Sequence, residues 1–372
     1  MKLTIERAAL LRSLAHVQSV VERRNTIPVL SNVLLEASEG QLGLTATDMD
    51  LTIHEVTPAV VQEAGATTVP AHTFYDIIRK LPDGSEVELA LDGEKGQVRL
   101  RAGRSNFSLS TLPREDFPST ASVELPCRFT LQAGEAINLI DRTRFAISTE
   151  ETRYYLNGIY LHAGTSNGVD VLRAVATDGH RLARFEMALP EGAGEMPGVI
   201  VPRKTVNELR KLIDEVDGGV EVALSETRVR FTFGSVELAS KLIDGTFPDY
   251  ERVIPSGNDK VMSVDCRSFA SAVDRVSTIS TEKSRAVKLA LRDSALVLSA
   301  TAPDAGSAEE EVPVHYEGPP LEIGFNSRYL LDIAHQIEGE GAEFTMADGA
   351  SPTIVRDAAD PSALYVLMPM RV

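Results

Sequence analysis

The chain has 372 residues, 43% of them apolar and 24% charged, with a net charge of −17. This is the composition of an ordinary soluble globular protein with room for two or three domains. No apolar run reaches the roughly 18 residues of a membrane span, and the opening Met-Lys-Leu-Thr-Ile-Glu has no signal-peptide core. Two cysteines, Cys127 and Cys266, with no Cys/His cluster, argue against a disulfide framework or a structural zinc site and for free thiols in a reducing, cytosolic compartment. At first sight the acidic total argues against tight binding to nucleic acid.

In chain order, the first part of the sequence reads as one unit written twice. A strand near 2–5 leads into a helix near 7–22, followed by strands near 29–37, 41–47 and 50–57. A strand near 66–69 leads into a helix near 72–81, followed by strands near 85–92, 96–102 and 105–112. The helices rest on 3.6-residue spacing, as in Phe74, Ile77, Ile78 and Leu81. The strands rest on alternation, as in Val87, Leu89 and Leu91, and the turns on Pro82-Asp-Gly84, Asp92-Gly93 and Ala102-Gly103.

The whole pattern then recurs. Leu3-Thr-Ile5, Phe129-Thr-Leu131 and Met262-Ser-Val264 each precede a helical pattern, and Thr45-Ala-Thr-Asp48 matches Val175-Ala-Thr-Asp178 and Ser299-Ala-Thr-Ala302. Leu112 to Phe117-Pro118 matches Leu242 to Phe247-Pro248. Matched positions lie 124 to 133 residues apart, the size of a whole domain rather than a solenoid repeat. The expectation is α+β: three similar domains, 1–126, 127–255 and 256–372, each a duplicated β-α-β-β-β unit, with six helices and roughly two dozen strands in all. Like domains in one chain favour a symmetric object. The small, acidic Thr301–Glu311 reads as a mobile loop, and the residues after Leu367 as a free tail.

Basic residues concentrate in the helical segments: Arg7, Arg12, Arg23, Arg24, Arg79, Lys80, Arg142, Arg144, Arg203, Lys204, Arg210, Lys211, Arg267, Arg275, Lys283 and Arg285, with a weakly basic last helix from Arg328 to Ile337. Any one such helix can simply be solvated by its charges. If the helices share one surface, however, a basic face sits on an acidic body, which suits a protein that encloses DNA without adhering to it from outside.

Several motifs together resemble the bacterial sliding-clamp family, the beta subunits of DNA polymerase III. They are Arg24-Asn-Thr-Ile-Pro28-Val-Leu30, Thr47-Asp-Met-Asp50, Arg153-Tyr-Tyr-Leu-Asn-Gly158, Ala176-Thr-Asp-Gly-His-Arg-Leu-Ala183, Val201-Pro-Arg-Lys204, Lys241 to Tyr250 and the terminal Met368-Pro-Met-Arg-Val372. The resemblance spans the chain. It implies a head-to-tail homodimer forming a pseudo-sixfold ring, helices lining a hole around duplex DNA, and no catalytic activity, cofactor or metal. The expected partners are sequence-independent duplex DNA, the polymerase III alpha subunit, the clamp loader delta subunit, and other polymerases and repair proteins carrying clamp-binding peptides.

The resemblance also implies two sites. A peptide pocket between the second and third domains would take Arg153, Leu156, Thr177, Gly179, His180, Arg181, Leu182, Pro248 and Val253, with Tyr329, Ser351, Val366, Met368, Pro369, Met370 and Arg371 from the third domain and tail. Its apolar groove would suit many partners, Met especially, with Arg and His at the rim for the peptide backbone or an acidic terminus. DNA contacts would fall to Arg24, Arg79, Tyr155, Arg203 and Lys204, touching phosphates and sugars without sequence readout. His72-Thr73 stand where some relatives carry basic residues, which implies a weaker contact there. The dimer contact is expected at edge strands, near Phe107–Thr111 on one side and Met262–Cys266 or Val287–Leu291 on the other.

Competing readings rest on fewer residues. His180 beside Asp178 could be half of a catalytic pair, but no nucleophile sits in a recognisable elbow, and Asp178 with Gly179 reads better as a turn. Asp48 and Asp50, a lone pair of carboxylates in a loop, are weak evidence for a metal site. A peptide-binding scaffold that never meets DNA is the remaining alternative. Loading would need a separate ATP-driven loader, because no phosphate-binding glycine-rich loop is present.

Overall fold

The computed structural model describes residues 1–119, 123–280 and 285–371. Lys283 and Val372 lie outside the described residues. Among those described, six α-helices alternate with groups of strands. They are α1 (Arg7–Gln18), α2 (Ala71–Lys80), α3 (Ala133–Asp141), α4 (Arg203–Ile213), α5 (Cys266–Ser277) and α6 (Ser327–Ala334). Each follows a short strand and precedes three more, so the β-α-β-β-β unit occurs six times.

The pairing of these strands was not written in the repeat. In every domain the leading strand of one unit joins the three-stranded meander of the other. Lys2–Glu6 pairs with Glu86–Asp92, and Gly65–Pro70 with Asn32–Ser38. Likewise Lys260–Asp265 pairs with Gly341–Met346, and Leu321–Asn326 with Ala286–Arg292. The exchange interlocks the two units, so neither can bury its apolar face alone.

The chain forms two compact units, Met1–Gly134 with Glu191–Met196 and Lys204–Leu242, and Glu135–Pro190 with Pro197–Arg203 and Ile243–Val372. The first holds a five-stranded sheet and an eight-stranded sheet, made continuous where Leu51–Pro58 pairs antiparallel with Val236–Lys241. The second holds a nine-stranded and a four-stranded sheet, and its long sheet is continuous where Arg181–Ala188 pairs with Ala363–Leu367. Sheet continuity, rather than the sequence repeat, therefore sets the compact units.

Helix faces follow the spacing. α1 buries Leu10, Leu14 and Val17, and α2 buries Phe74 and Ile78 beside it. α5 opens on Asp265, whose side chain accepts from Ser268 N–H at 2.7 Å, and α6 on Asn326, which accepts from Arg328 N–H at 3.0 Å.

Several expectations are corrected. The first helix stops at Gln18, not 22: Ser19 Oγ donates back to His16 O, and the His72 ring bonds Gln18 Oε1 and Val21 O, both at 2.9 Å, folding buried Val20 and Val21 inward. Arg23 and Arg24 thus sit in a turn. The strand expected from 29 starts at Asn32, because Pro28, with its fixed φ, opens a 3₁₀ turn over Pro28–Ser31. The last helix ends at Ala334 rather than Ile337.

Thr301–Glu311 is a hairpin, not a mobile loop. Ala295–Ala302 pairs with Gly306–Pro313, Val312 is buried, and Glu310 meets Arg275 of α5. The tail is not free: Met368 N–H donates to His180 O at 2.9 Å and Met370 N–H to Gly324 O at 2.7 Å. Of the suggested edge strands, Ser105–Ser110 is at an edge, but Lys260–Asp265 and Ala286–Arg292 are paired on both sides. The free edge of the four-stranded sheet opposite Leu321–Asn326 is Gly306–Pro313. Two short strands, Val60–Glu63 and His315–Tyr316, carried too few apolar residues to register in the sequence.

Candidate functional site

A groove of about 230 Å³ opens in the second unit. Its floor is Leu156, Leu182 and Val366, part of an apolar cluster with Val175, Ile200, Phe247, Tyr250, Ile354 and Leu364. Leu182 and Val366 lie opposite each other on paired strands. Pro248 and Val253 form one wall, Met368 another, and Arg153, Thr177 and Gly179 the rim.

The rim is built by a turn. Asp178 Oδ1 accepts from the backbone N–H groups of His180 (2.9 Å) and Arg181 (3.0 Å), and Thr177 Oγ1 accepts from Gly179 N–H. Gly179 has φ +88°, which favours glycine, and a Cβ there would meet the flexible end of Arg153, 2.5 Å from Nη1. Arg153 makes a two-pronged pair with Glu150, at 2.8 and 2.7 Å, which holds the Glu150 carboxyl below its ordinary range.

Arg181 lines the groove but has little left to offer a ligand. It is buried, donating to Asp178, to Phe145 O at 2.7 Å and to Asp332, and its guanidinium lies 4.3 Å from the centre of the Tyr329 ring. Ten of the sequence-expected pocket residues meet in this groove: Arg153, Leu156, Thr177, Gly179, Arg181, Leu182, Pro248, Val253, Val366 and Met368. His180 and Tyr329 stand beside it, their rings 6.3 Å apart. Ser351 closes a turn on Asp348, and Pro369, Met370 and Arg371 continue past the lining along the tail. Tyr155, expected at DNA, lines the groove. Nothing in the sequence separated its ring from that of exposed Tyr154, which meets it edge-on at 5.8 Å.

The other residues expected at DNA are scattered. Arg24 is exposed in the turn after α1, and Arg203, also exposed, opens α4. Arg79 is exposed in the last turn of α2, tied to Asp76 and lying over Tyr75. Lys204 pairs with Asp48 and also faces Glu22, seating it against the turn that carries Arg24. Asp50 pairs with Lys241 at 2.8 Å, so both carboxylates suggested as metal ligands answer lysines. Several cations on or just after the helices also have carboxylate partners: Arg7 with Asp83, Arg12 with Glu215, Arg142 with Glu338 and Lys211 with Glu208. The net basic excess of the helices is therefore smaller than the sequence count. Among the described residues, no group of three or more His, Cys, Asp or Glu is placed to hold a metal.

A larger cavity, about 360 Å³, lies in the first unit where the Leu51–Pro58 and Val236–Lys241 strands meet. Its charges, Asp50 with Lys241 and Arg230 facing Glu237, largely answer one another, and its apolar lining includes Phe117, Leu125 and Val229.

The sequence matches the DNA polymerase III beta subunit along nearly its whole length: the N-terminal domain over residues 1–121, the central domain over 130–249 and the C-terminal domain over 251–371. It is 56% identical over 372 residues to the beta sliding clamp of Caulobacter vibrioides and 40% identical over 373 residues to that of Escherichia coli, each covering 100% of both chains. A crystal structure of the Caulobacter crescentus beta sliding clamp superposes with a TM-score of 0.98 at 56% identity, covering 100% of this chain and 99% of that one. The sliding clamp of Bartonella birtlesii bound to griselimycin gives 0.97 at 52% identity, with 100% of each chain covered. With this fold, this groove and these matches, the chain belongs to the DNA polymerase III beta subunit family, the bacterial beta sliding clamps.

Proposed function

We propose that two copies of this chain join head to tail into a ring that encircles duplex DNA and gives the replicative polymerase its processivity. The division at 1–126, 127–255 and 256–372 then supplies six like steps around the ring. The observation that carries the assembly is a pair of unpaired edges. Within the chain, the last strand of a domain's first unit pairs with the last strand of the next domain's second unit, as Leu51–Pro58 does with Val236–Lys241 and Arg181–Ala188 with Ala363–Leu367. The same rule leaves Gly306–Pro313 of the third domain and Ser105–Ser110 of the first without partners. Joining them between copies completes the pattern and closes the ring. The charges are complementary: Arg101 and Arg104 near the one edge, Glu309 and Glu311 on the other.

In this reading the ring holds DNA by topology, and Arg24, Arg79, Tyr155, Arg203 and Lys204 make weak sequence-independent contacts to the backbone that let it slide. The groove takes short apolar peptides from the polymerase III alpha subunit, the clamp loader delta subunit, and other polymerases and repair proteins. The protein acts in the cytoplasm, catalyses no reaction, and needs no cofactor.

The test is mass by light scattering at micromolar concentration, with a fluorescent peptide from the C-terminus of the polymerase alpha subunit titrated into the same sample. The wild type should be a dimer that binds peptide. Phe107→Glu, at an exposed edge position opposite the acidic strand, should be a monomer that still binds. A dimeric Phe107→Glu variant contradicts the interface. A dimer that ignores the peptide contradicts the groove.

A further inference from the structure

We propose that Arg173 is a positioning residue for peptide binding, which fixes the Pro248–Val253 wall of the groove through Tyr250 and Glu251. This rests on the groove being the peptide site. The wall belongs to a segment, 243–259, whose main-chain bonds lie at its ends: Ile243 N–H to Ile200 O and Asp259 N–H to Met346 O. Between them a single 3₁₀ turn, Tyr250–Val253, has few neighbours in the main-chain network, so side chains must set its place.

Those side chains converge on one row of the sheet. His162, Arg173 and Glu186 stand directly opposite one another on three adjacent strands. Tyr250 is buried above them, with His162 Nε2 at 3.0 Å from its hydroxyl and Arg173 Nη1 at 3.3 Å. The donors follow from the ring. His162 Nδ1 donates to Ala163 O at 2.8 Å, so a neutral imidazole leaves Nε2 to accept the Tyr250 proton. Burial, which lowers the His162 pKa, favours that neutral form. The hydroxyl oxygen then accepts from Arg173.

Arg173 itself is buried and over-determined. Its Nη1 also donates to Glu251 at 2.6 Å, its Nη2 to Thr165 O at 3.0 Å, and its Nε faces Glu186 at 3.2 Å. Phe247 adds a parallel stack on Tyr160, centroids 4.8 Å apart. The strand that carries Arg173 ends at Thr177 on the groove rim, so one rigid element sets both rim and wall.

The test uses full-length protein and the same fluorescent alpha-subunit peptide. Tyr250→Phe keeps the ring and its packing but removes the hydroxyl, and Arg173→Lys keeps a charge but loses the fork. We expect Tyr250→Phe to weaken peptide binding about threefold and Arg173→Lys about tenfold, chiefly by faster dissociation. In a Pro248→Ala, Val253→Ala background, where the wall is already lost, each should cost less than about 1.5-fold. Hydrogen exchange over 248–254 in the peptide-free protein should quicken in both variants. Equal losses in both backgrounds, or unchanged binding, overturn the positioning role. A wild type that binds no peptide overturns the groove reading and the role with it. Quickened exchange alongside unchanged binding overturns the role alone.

Discussion

Met368→Ala should weaken peptide binding while leaving the protein folded. The side chain lines the groove, yet 37% of its surface is open, whereas the backbone tether runs through its N–H to His180 O and is untouched by truncation. If a bound peptide covers that open fraction, roughly 70 Å² at about 25 cal/mol per Å² gives about 1.8 kcal/mol, or about twentyfold in Kd. Half cover gives about fivefold. The rest of the side chain is already packed against the protein, so truncation should also cost about 1–2 kcal/mol of stability. Fluorescence anisotropy with the alpha-subunit peptide reads the first quantity, and a thermal melt the second. The expected result is a five- to twentyfold loss of affinity with a melting midpoint lowered by a few degrees. Unchanged affinity would mean that the peptide does not use this wall. A lowered midpoint with unchanged affinity would mean that Met368 serves packing alone.

Two further outcomes follow from single side chains. Gly179→Ala must hold an unfavourable positive φ and displace the end of Arg153 at the rim, so it should cost about 1–2 kcal/mol of stability and also weaken peptide binding, read by melt and anisotropy together. The Cys266 thiol is pushed up to about 11 by burial and then by the nearby Asp265 and Asp357 carboxylates, and it donates to Ala334 O. The fold thus favours the neutral thiol. That stability is complete below the ordinary thiol value near 9 and drains as pH rises through about 11. Stability measured from pH 8 to 11 should fall less steeply in Cys266→Ala, and a thiol reagent at pH 8 should modify half-buried Cys127 before Cys266.

Much of the architecture was legible because it is repeated. Leu3, Phe129 and Met262 each lie in a strand that leads into a helix, and alternation at Val98 and Leu100 is burial alternation in the sheet. What one domain obscured, the other two clarified. Strand exchange between units was not legible, since nothing local in Leu3 says that its partner is Leu89 rather than a strand of its own unit. The Thr301–Glu311 hairpin was hidden by its acids, because Ala302 and the adjoining Val312 are its few buried apolar residues, and the Glu310–Arg275 pair carries no sequence spacing.

Within the groove, the residues named by family motif converge because Leu182 and Val366 share one register across a domain boundary. Arg181 was the harder case. Its partner Asp332 lies 151 positions away, so only the folded structure reveals that a rim arginine is committed to holding the site. The row that braces the wall, His162, Arg173 and Glu186, was invisible for the same reason: cross-strand neighbours carry no sequence spacing of their own.

Retention on DNA of different topology tests the ring most directly. Labelled protein would be loaded on nicked circular duplex by the clamp loader with ATP, separated from free protein in 0.5 M salt, and then followed after a single restriction cut. A topological link predicts stable retention on the circle despite the salt, which screens phosphate contacts, and prompt release once ends are available. Loss from the intact circle in salt, or equal retention on circle and linear DNA, would contradict the ring.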